Sequence, residues 1–208
     1  MPTILKNFVV IEGLDGSGTT TQLKALDKIL TDEGKKTFIT CEPTTGPIGC
    51  LIRQFLSGQI KTTPGALARL YSADREDHLF HENDGIIARL KEGYTVLSDR
   101  YLFSSLAYQS IGIGYAQVAL LNRFPLPEKL IFIDTPVAVC MQRIEKRGNC
   151  KEIFEKQAFL EKVEANYRKI LSELDSGICL IKIDGTLGPD AITAEILQQW
   201  HRAVPLST

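Results

Sequence analysis

The 208-residue chain has no Cys-x-x-Cys pair, no apolar run near the roughly 20 residues that cross a bilayer, and no surplus of positive charge. Each absence narrows the field. Its five cysteines, Cys41, Cys50, Cys140, Cys150 and Cys179, are odd in number and scattered, which argues against a disulfide framework or zinc site and for reduced thiols in a cytoplasm. The apolar stretch Phe8 to Ile11 is cut off by Glu12 and Gly13, so neither a membrane span nor a signal peptide is expected. With 24 Lys and Arg against 25 Asp and Glu, the net charge is −1, and no global positive field draws the chain to nucleic acid or an anionic membrane. Any phosphate it binds must be held locally.

What is present is a globular balance of 44% hydrophobic and 24% charged residues, which excludes a disordered, collagenous or coiled-coil chain. The length suits one large core, and no linker or repeat divides it, so one domain is expected over residues 1–208. Five short runs are apolar without alternation: Phe8 to Ile11, Thr37 to Thr40, Thr95 to Leu97, Leu130 to Ile133 and Cys179 to Ile183. Such runs read as strands buried on both faces. Between them lies helical spacing at Leu23, Leu26 and Leu30, at Phe159, Val163, Tyr167, Ile170 and Leu174, and at Ile192, Ile196 and Trp200. Strands alternating with helices predict an α/β fold with a five-stranded parallel sheet flanked by helices. The charge-rich stretch from Arg143 to Lys169 reads as an exposed helix, a loop and a second helix.

Directly after the first strand comes Gly13-Leu14-Asp15-Gly16-Ser17-Gly18-Thr19-Thr20, followed by a helical pattern. This is nearly a P-loop. Gly13, Gly16 and Gly18 let the chain turn tightly, so that amides of the loop, including those of Ser17 and Thr19, and the helix dipole face a polyphosphate. Thr20 holds the hydroxyl position that ligates the Mg2+ bridging ATP phosphates. Position 19 is threonine where the motif has lysine, so the usual ammonium is missing. Asp99 and Arg100 end the third run at the edge where open α/β sheets bind ligands, which allows Asp99 a second place near the metal. Tyr71, Arg75 and His78 are spaced to share one helical face.

The segment Asp99-Arg100-Tyr101-Leu102-Phe103-Ser104-Ser105-Leu106-Ala107-Tyr108-Gln109 closely resembles the Asp-Arg-Tyr…Ser…Ala-Tyr-Gln signature of thymidylate kinases. Leu70-Tyr71-Ser72-Ala73-Asp74-Arg75 is similar to that family's Leu-Phe/Tyr-x-x-Asp/Asn-Arg helix. Cys41-Glu42-Pro43 stands where the family has Arg-Glu-Pro, and Arg147-Gly148, Glu155 and Phe159 to Tyr167 follow its lid and the helix after it. The resemblance spans roughly residues 7 to 200, in order.

It implies a P-loop kinase fold with a short lid at about residues 143–155, and transfer of the γ-phosphoryl of ATP to dTMP with Mg2+. Arg100 is then expected to grip the acceptor phosphate, with Tyr71 stacked on the base, Arg75 donating to a thymine carbonyl, and Ser104, Ser105 and Gln109 nearby. Tyr108 would crowd the sugar 2′ position, and Asp15 would act electrostatically near acceptor and metal. Arg147 and Lys151 of the lid, with Lys146 and Arg143 in reserve, would replace the missing cation, and the chain would pair as a cytoplasmic homodimer. A catalytically weak nucleotide-binding homologue and a kinase for another pyrimidine monophosphate are the alternatives.

Overall fold

All five apolar runs become strands of one parallel sheet. The computed structural model describes residues 3–146 and 153–202, and for 153–155 and 201–202 the backbone alone. The strands are β1 (Ile4–Gly13), β2 (Thr37–Cys41), β3 (Thr95–Asp99), β4 (Leu126–Asp134) and β5 (Cys179–Asp184), in the order β2-β3-β1-β4-β5. Side chains alternate across the sheet, and both faces are covered. Phe8 and Val10 of β1 face one apolar cluster, whereas Val9 and Ile11 face another that includes Leu23, Leu26 and Leu30 of α1 (Thr19–Asp32) and Ile192 and Ile196 of α10 (Pro189–Arg202).

The remaining helices are α2 (Pro47–Leu56), α3 (Pro64–Phe80), α4 (Ile86–Lys91), α5 (Leu102–Tyr108), α6 (Ser110–Ile113), α7 (Tyr115–Leu121), α8 (Val137–Lys146) and α9 (Ile153–Ser172). Short α4, α6 and α7 carry too few turns for periodicity to reveal them. The first helix of the stretch from Arg143, expected to be exposed, instead turns Cys140, Met141 and Ile144 of α8 into the core, whereas the apolar spacing read in the second helix is borne out. Leu160, Val163, Tyr167 and Ile170 of α9 are buried against the sheet, while Phe159 is left 39% exposed and Leu174 falls beyond the helix. Residues 147–152 of the expected lid, which include Arg147 and Lys151, lie outside the described residues.

From β1 the chain runs first to β2 at one edge and later to β4 on the opposite side. That reversal opens a crevice beyond the C-terminal ends of the central strands, where the loop after β1 and the residues after β3 meet.

Candidate active site

The glycine-rich loop folds as its sequence suggests. Gly16 and Gly18 take φ of 88° and 102°, values that favour glycine, and Gly18 caps α1. A Cβ on Gly16 would lie 2.8 Å from the Cys140 carbonyl oxygen and 3.1 Å from Ile144, so α8 packs directly against the loop and no side chain fits there. The carbonyls behind the loop are held by Arg143, whose guanidinium donates to Gly16 O (3.5 Å), Ser17 O (3.3 Å) and Gly185 O (2.9 Å). Arg143 is thus engaged with backbone.

Asp15, Gly16, Gly18, Thr19 and Thr20 line a cavity of about 1110 Å³, whereas Gly13 and Ser17 sit behind it. Thr20 Oγ1 donates to Asp99 Oδ2 at 2.5 Å. Asp99 Oδ1 is buried without a partner among the described residues. A carboxylate oxygen so placed beside a hydroxyl is an all-oxygen donor set suited to Mg2+, which keeps several waters and needs few protein ligands.

Arg100 lies on the cavity wall next to the loop. Its Nη2 donates to Asp15 Oδ1 (2.8 Å), its Nη1 to Ser104 Oγ (3.0 Å), and its guanidinium carbon lies 5.3 Å from the centroid of the Tyr108 ring. The Tyr108 hydroxyl accepts from the Asp15 N–H at 3.0 Å, so the tyrosine is keyed to the P-loop backbone. Burial pushes the Tyr108 hydroxyl well above its ordinary pKa, and that of Tyr71 up to about 12, which keeps both neutral donors at physiological pH.

The base-side residues are less open. Arg75 is 1% exposed; its Nε (2.9 Å) and Nη2 (2.5 Å) donate to Glu42 Oε2, Nη2 also to Ser105 Oγ (3.0 Å), and Nη1 to Asn122 Oδ1. A guanidinium has five N–H groups, so one on Nη1 is not used by these bonds. His78 shares the Arg75 face as the spacing predicts and meets Glu42 Oε1 (3.0 Å) and Thr40 Oγ1 (2.6 Å). The open cavity includes none of Tyr71, Arg75, Ser104, Ser105, Tyr108 or Gln109 in its wall. Gln109 Oε1 is buried and has no partner among the described residues.

Three side chains of this region escape a motif-based reading. Arg53 of α2 lines the cavity, donates to Pro43 O (2.6 Å) and Thr44 O, and lies 3.7 Å from Cys41 Sγ. It brings a positive charge to the corner where Cys41 leaves none. Lys156 of α9 also lines the cavity, with no hydrogen bond or ion pair among the described residues. Glu12 lies buried under Arg100. None of the three carried a motif in the sequence.

The sequence model of the family described as "Thymidylate kinase" matches residues 11–196. The chain belongs to the thymidylate kinase family. As a thymidylate kinase it is an ATP-dependent nucleoside monophosphate kinase acting on dTMP, and its fold is the P-loop kinase fold. Neither alternative reading is favoured. A "Putative thymidylate kinase" of Treponema pallidum (strain Nichols) is 41% identical over 198 residues, 93% of this chain and 94% of that protein. The "Thymidylate kinase" of Leptospira borgpetersenii serovar Hardjo-bovis (strain L550) is 36% identical over 94% of this chain and 93% of its own. A "Probable thymidylate kinase" of Methanococcus aeolicus is 39% identical over 81% of each chain.

Proposed function

We propose that the P-loop holds the phosphates of ATP, that Mg2+ is bound beside Thr20 and Asp99, and that Arg100 meets the phosphate of dTMP, in a cytoplasmic homodimer. One observation carries the reading: loop, Asp99 and Arg100 converge on a single cavity at the sheet's switch point. The chemistry the ion supplies when bound is neutralisation of charge on the β- and γ-oxygens. The chain's own part is positioning, because a phosphate acceptor is already an anion and needs no base. Asp15 therefore orients Arg100 through their 2.8 Å ion pair. Tyr71 and the last Arg75 N–H are assigned to the base, with Ser105 fixing Arg75, and Arg53 joins Arg100 on the acceptor side. The homodimer reading is supported by Leu51, Leu56 and Ile60, exposed apolar residues in and after α2 that a second copy would cover. No described helix is long and apolar enough to cross a membrane.

The cation that Thr19 lacks is assigned to the segment after α8: to Lys156, and with it to Arg147 and Lys151. Arg143 is committed to three carbonyls, and Gly16 has no room for a side chain. A charge-assisted phosphate contact is worth about 1.5–3 kcal/mol, or roughly one to two decades in rate. Lys156→Ala is expected to lower kcat about tenfold with little change in ATP affinity, and Thr19→Lys to recover part of that loss. Normal turnover in Lys156→Ala would place the cation elsewhere.

Sugar selection is assigned to the Tyr108 ring. Assayed with ATP against a panel of deoxy- and ribonucleoside monophosphates, the wild-type chain is expected to favour dTMP. Tyr108→Ala should raise activity on the ribo-analogue relative to dTMP roughly tenfold by removing the ring that excludes a 2′-hydroxyl. Tyr108→Phe keeps the ring and loses only the bond from the Asp15 N–H, so its ratio should stay at the wild-type value. An unchanged ratio in the alanine variant would remove Tyr108 from selection.

A further inference from the structure

Glu12 is the only acidic residue of β1, and it is fully buried on the sheet face that meets α5 and α9. Its Oε1 accepts from the backbone N–H of Tyr101 (2.9 Å) and of Ser104 (3.1 Å). Its Oε2 accepts from Ser104 Oγ (2.6 Å) and the Tyr167 hydroxyl (2.8 Å). Tyr101 is the N-cap of α5 and provides no side-chain cap of its own. A carboxylate from a strand 89 positions away in sequence therefore satisfies amides that a local cap residue ordinarily serves.

Arg100 sits immediately ahead of that helix with φ of 73°, outside the usual range of a residue with a side chain. Its own N–H donates to Ile11 O (2.9 Å), its carbonyl accepts from Ser98 Oγ (2.7 Å), and its Nη1 ends on the Ser104 hydroxyl that Glu12 holds. Burial of a carboxylate is costly, and it pushes the Glu12 pKa up against the pull of Arg100 and the donors around it. Because Glu12 is wholly inaccessible, it acts through other residues.

We propose that Glu12 is a positioning residue for the acceptor phosphate: by capping α5 and fixing Ser104 it sets where the Arg100 guanidinium lies, and Tyr167 ties α9 into the same setting. This rests on the assignment of Arg100 to the phosphate of dTMP. The sign of the effect separates position from charge. A buried negative charge repels a phosphate, so if Glu12 acted electrostatically its neutralisation would tighten dTMP binding. If it acts by position, neutralisation weakens it.

The test is a double-mutant cycle in steady-state assays with ATP and dTMP, using Glu12→Gln, Arg100→Ala, both together, and Tyr167→Phe. Glutamine keeps an oxygen for the two amides but presents an NH2 where two hydroxyls now donate. Glu12→Gln is expected to raise KM for dTMP tenfold or more and leave KM for ATP within twofold. In the Arg100→Ala background it should cost less than a further twofold in kcat/KM. A lowered KM for dTMP, equal losses toward both substrates, or the same factor in both backgrounds would overturn the proposal. Should the glutamine variant not fold, Tyr167→Phe is read in its place: a threefold rise in KM for dTMP alone supports the proposal, and wild-type constants overturn it. An Arg100→Ala variant with normal KM for dTMP sinks both the assignment and the proposal, whereas an impaired Arg100→Ala with a normal Glu12→Gln sinks the proposal alone.

Discussion

Arg100→Ala should lower kcat/KM for dTMP by roughly two to three decades, the cost of about 3–4 kcal/mol that follows removal of a preorganised, largely shielded charged donor. Three features of the structure set that size. The guanidinium is already aimed, through Asp15 at 2.8 Å and Ser104 at 3.0 Å, so little ordering is left for the bound state. Its side chain is only 18% exposed, so water screens its charge weakly. Its removal also strips Asp15 of its partner, leaving a negative charge facing the incoming phosphate. KM for ATP should stay within a factor of two. Arg100→Lys should recover only part of the loss, because an ammonium cannot serve Asp15, Ser104 and a phosphate in the same planar geometry. A dTMP affinity equal to wild type in the alanine variant would refute the assignment.

The second large effect is expected at Asp99. Asp99→Asn removes a carboxylate whose Oδ2 takes the Thr20 hydroxyl and whose Oδ1 has no partner among the described residues. An oxygen buried in that way bears an uncompensated desolvation cost unless a ligand meets it. The asparagine variant should need roughly 10- to 100-fold more Mg2+ for half-maximal activity at fixed ATP, with kcat lowered by about two decades even at saturation. Thr20→Ala should shift the Mg2+ requirement in the same direction by less, since it takes away a hydroxyl and no charge. If Asp99→Asn shows the wild-type Mg2+ titration, the Thr20–Asp99 pair merely ties the helix after the loop to β3.

How far the site was legible in the sequence depended on whether its parts were neighbours along the chain. Residues Gly13 to Thr20 form their loop locally, and the five strands declared themselves because a parallel sheet covered on both sides requires unbroken apolar runs. The shared face of Arg75 and His78 was also readable, being a matter of helical period. That Arg75 is spent largely on Glu42 was not, because Glu42 reaches it from the end of β2, 33 positions away. Arg143 raised the same difficulty: its charge suggested a phosphate partner, and only the packing of α8 on Gly16 shows it turned to carbonyls. Lys156 reaches the cavity wall from the first turn of α9, and the apolar spacing that revealed the helix gave no sign of where that turn would end up.

Arg143 has one more consequence. By joining Gly16 and Ser17 to Gly185, it binds the phosphate loop from behind to the turn after β5. A glycine-rich segment loses more backbone freedom on ordering than any other kind of chain, and that entropy must be surrendered either when the protein folds or when its ligand arrives. Here Arg143 and the packing of α8 on Gly16 hold the loop through the protein's own contacts, so much of the loss falls on folding. The contacts made by a polyphosphate are then available almost undiminished as affinity, which eases the demand placed on a P-loop that has no lysine.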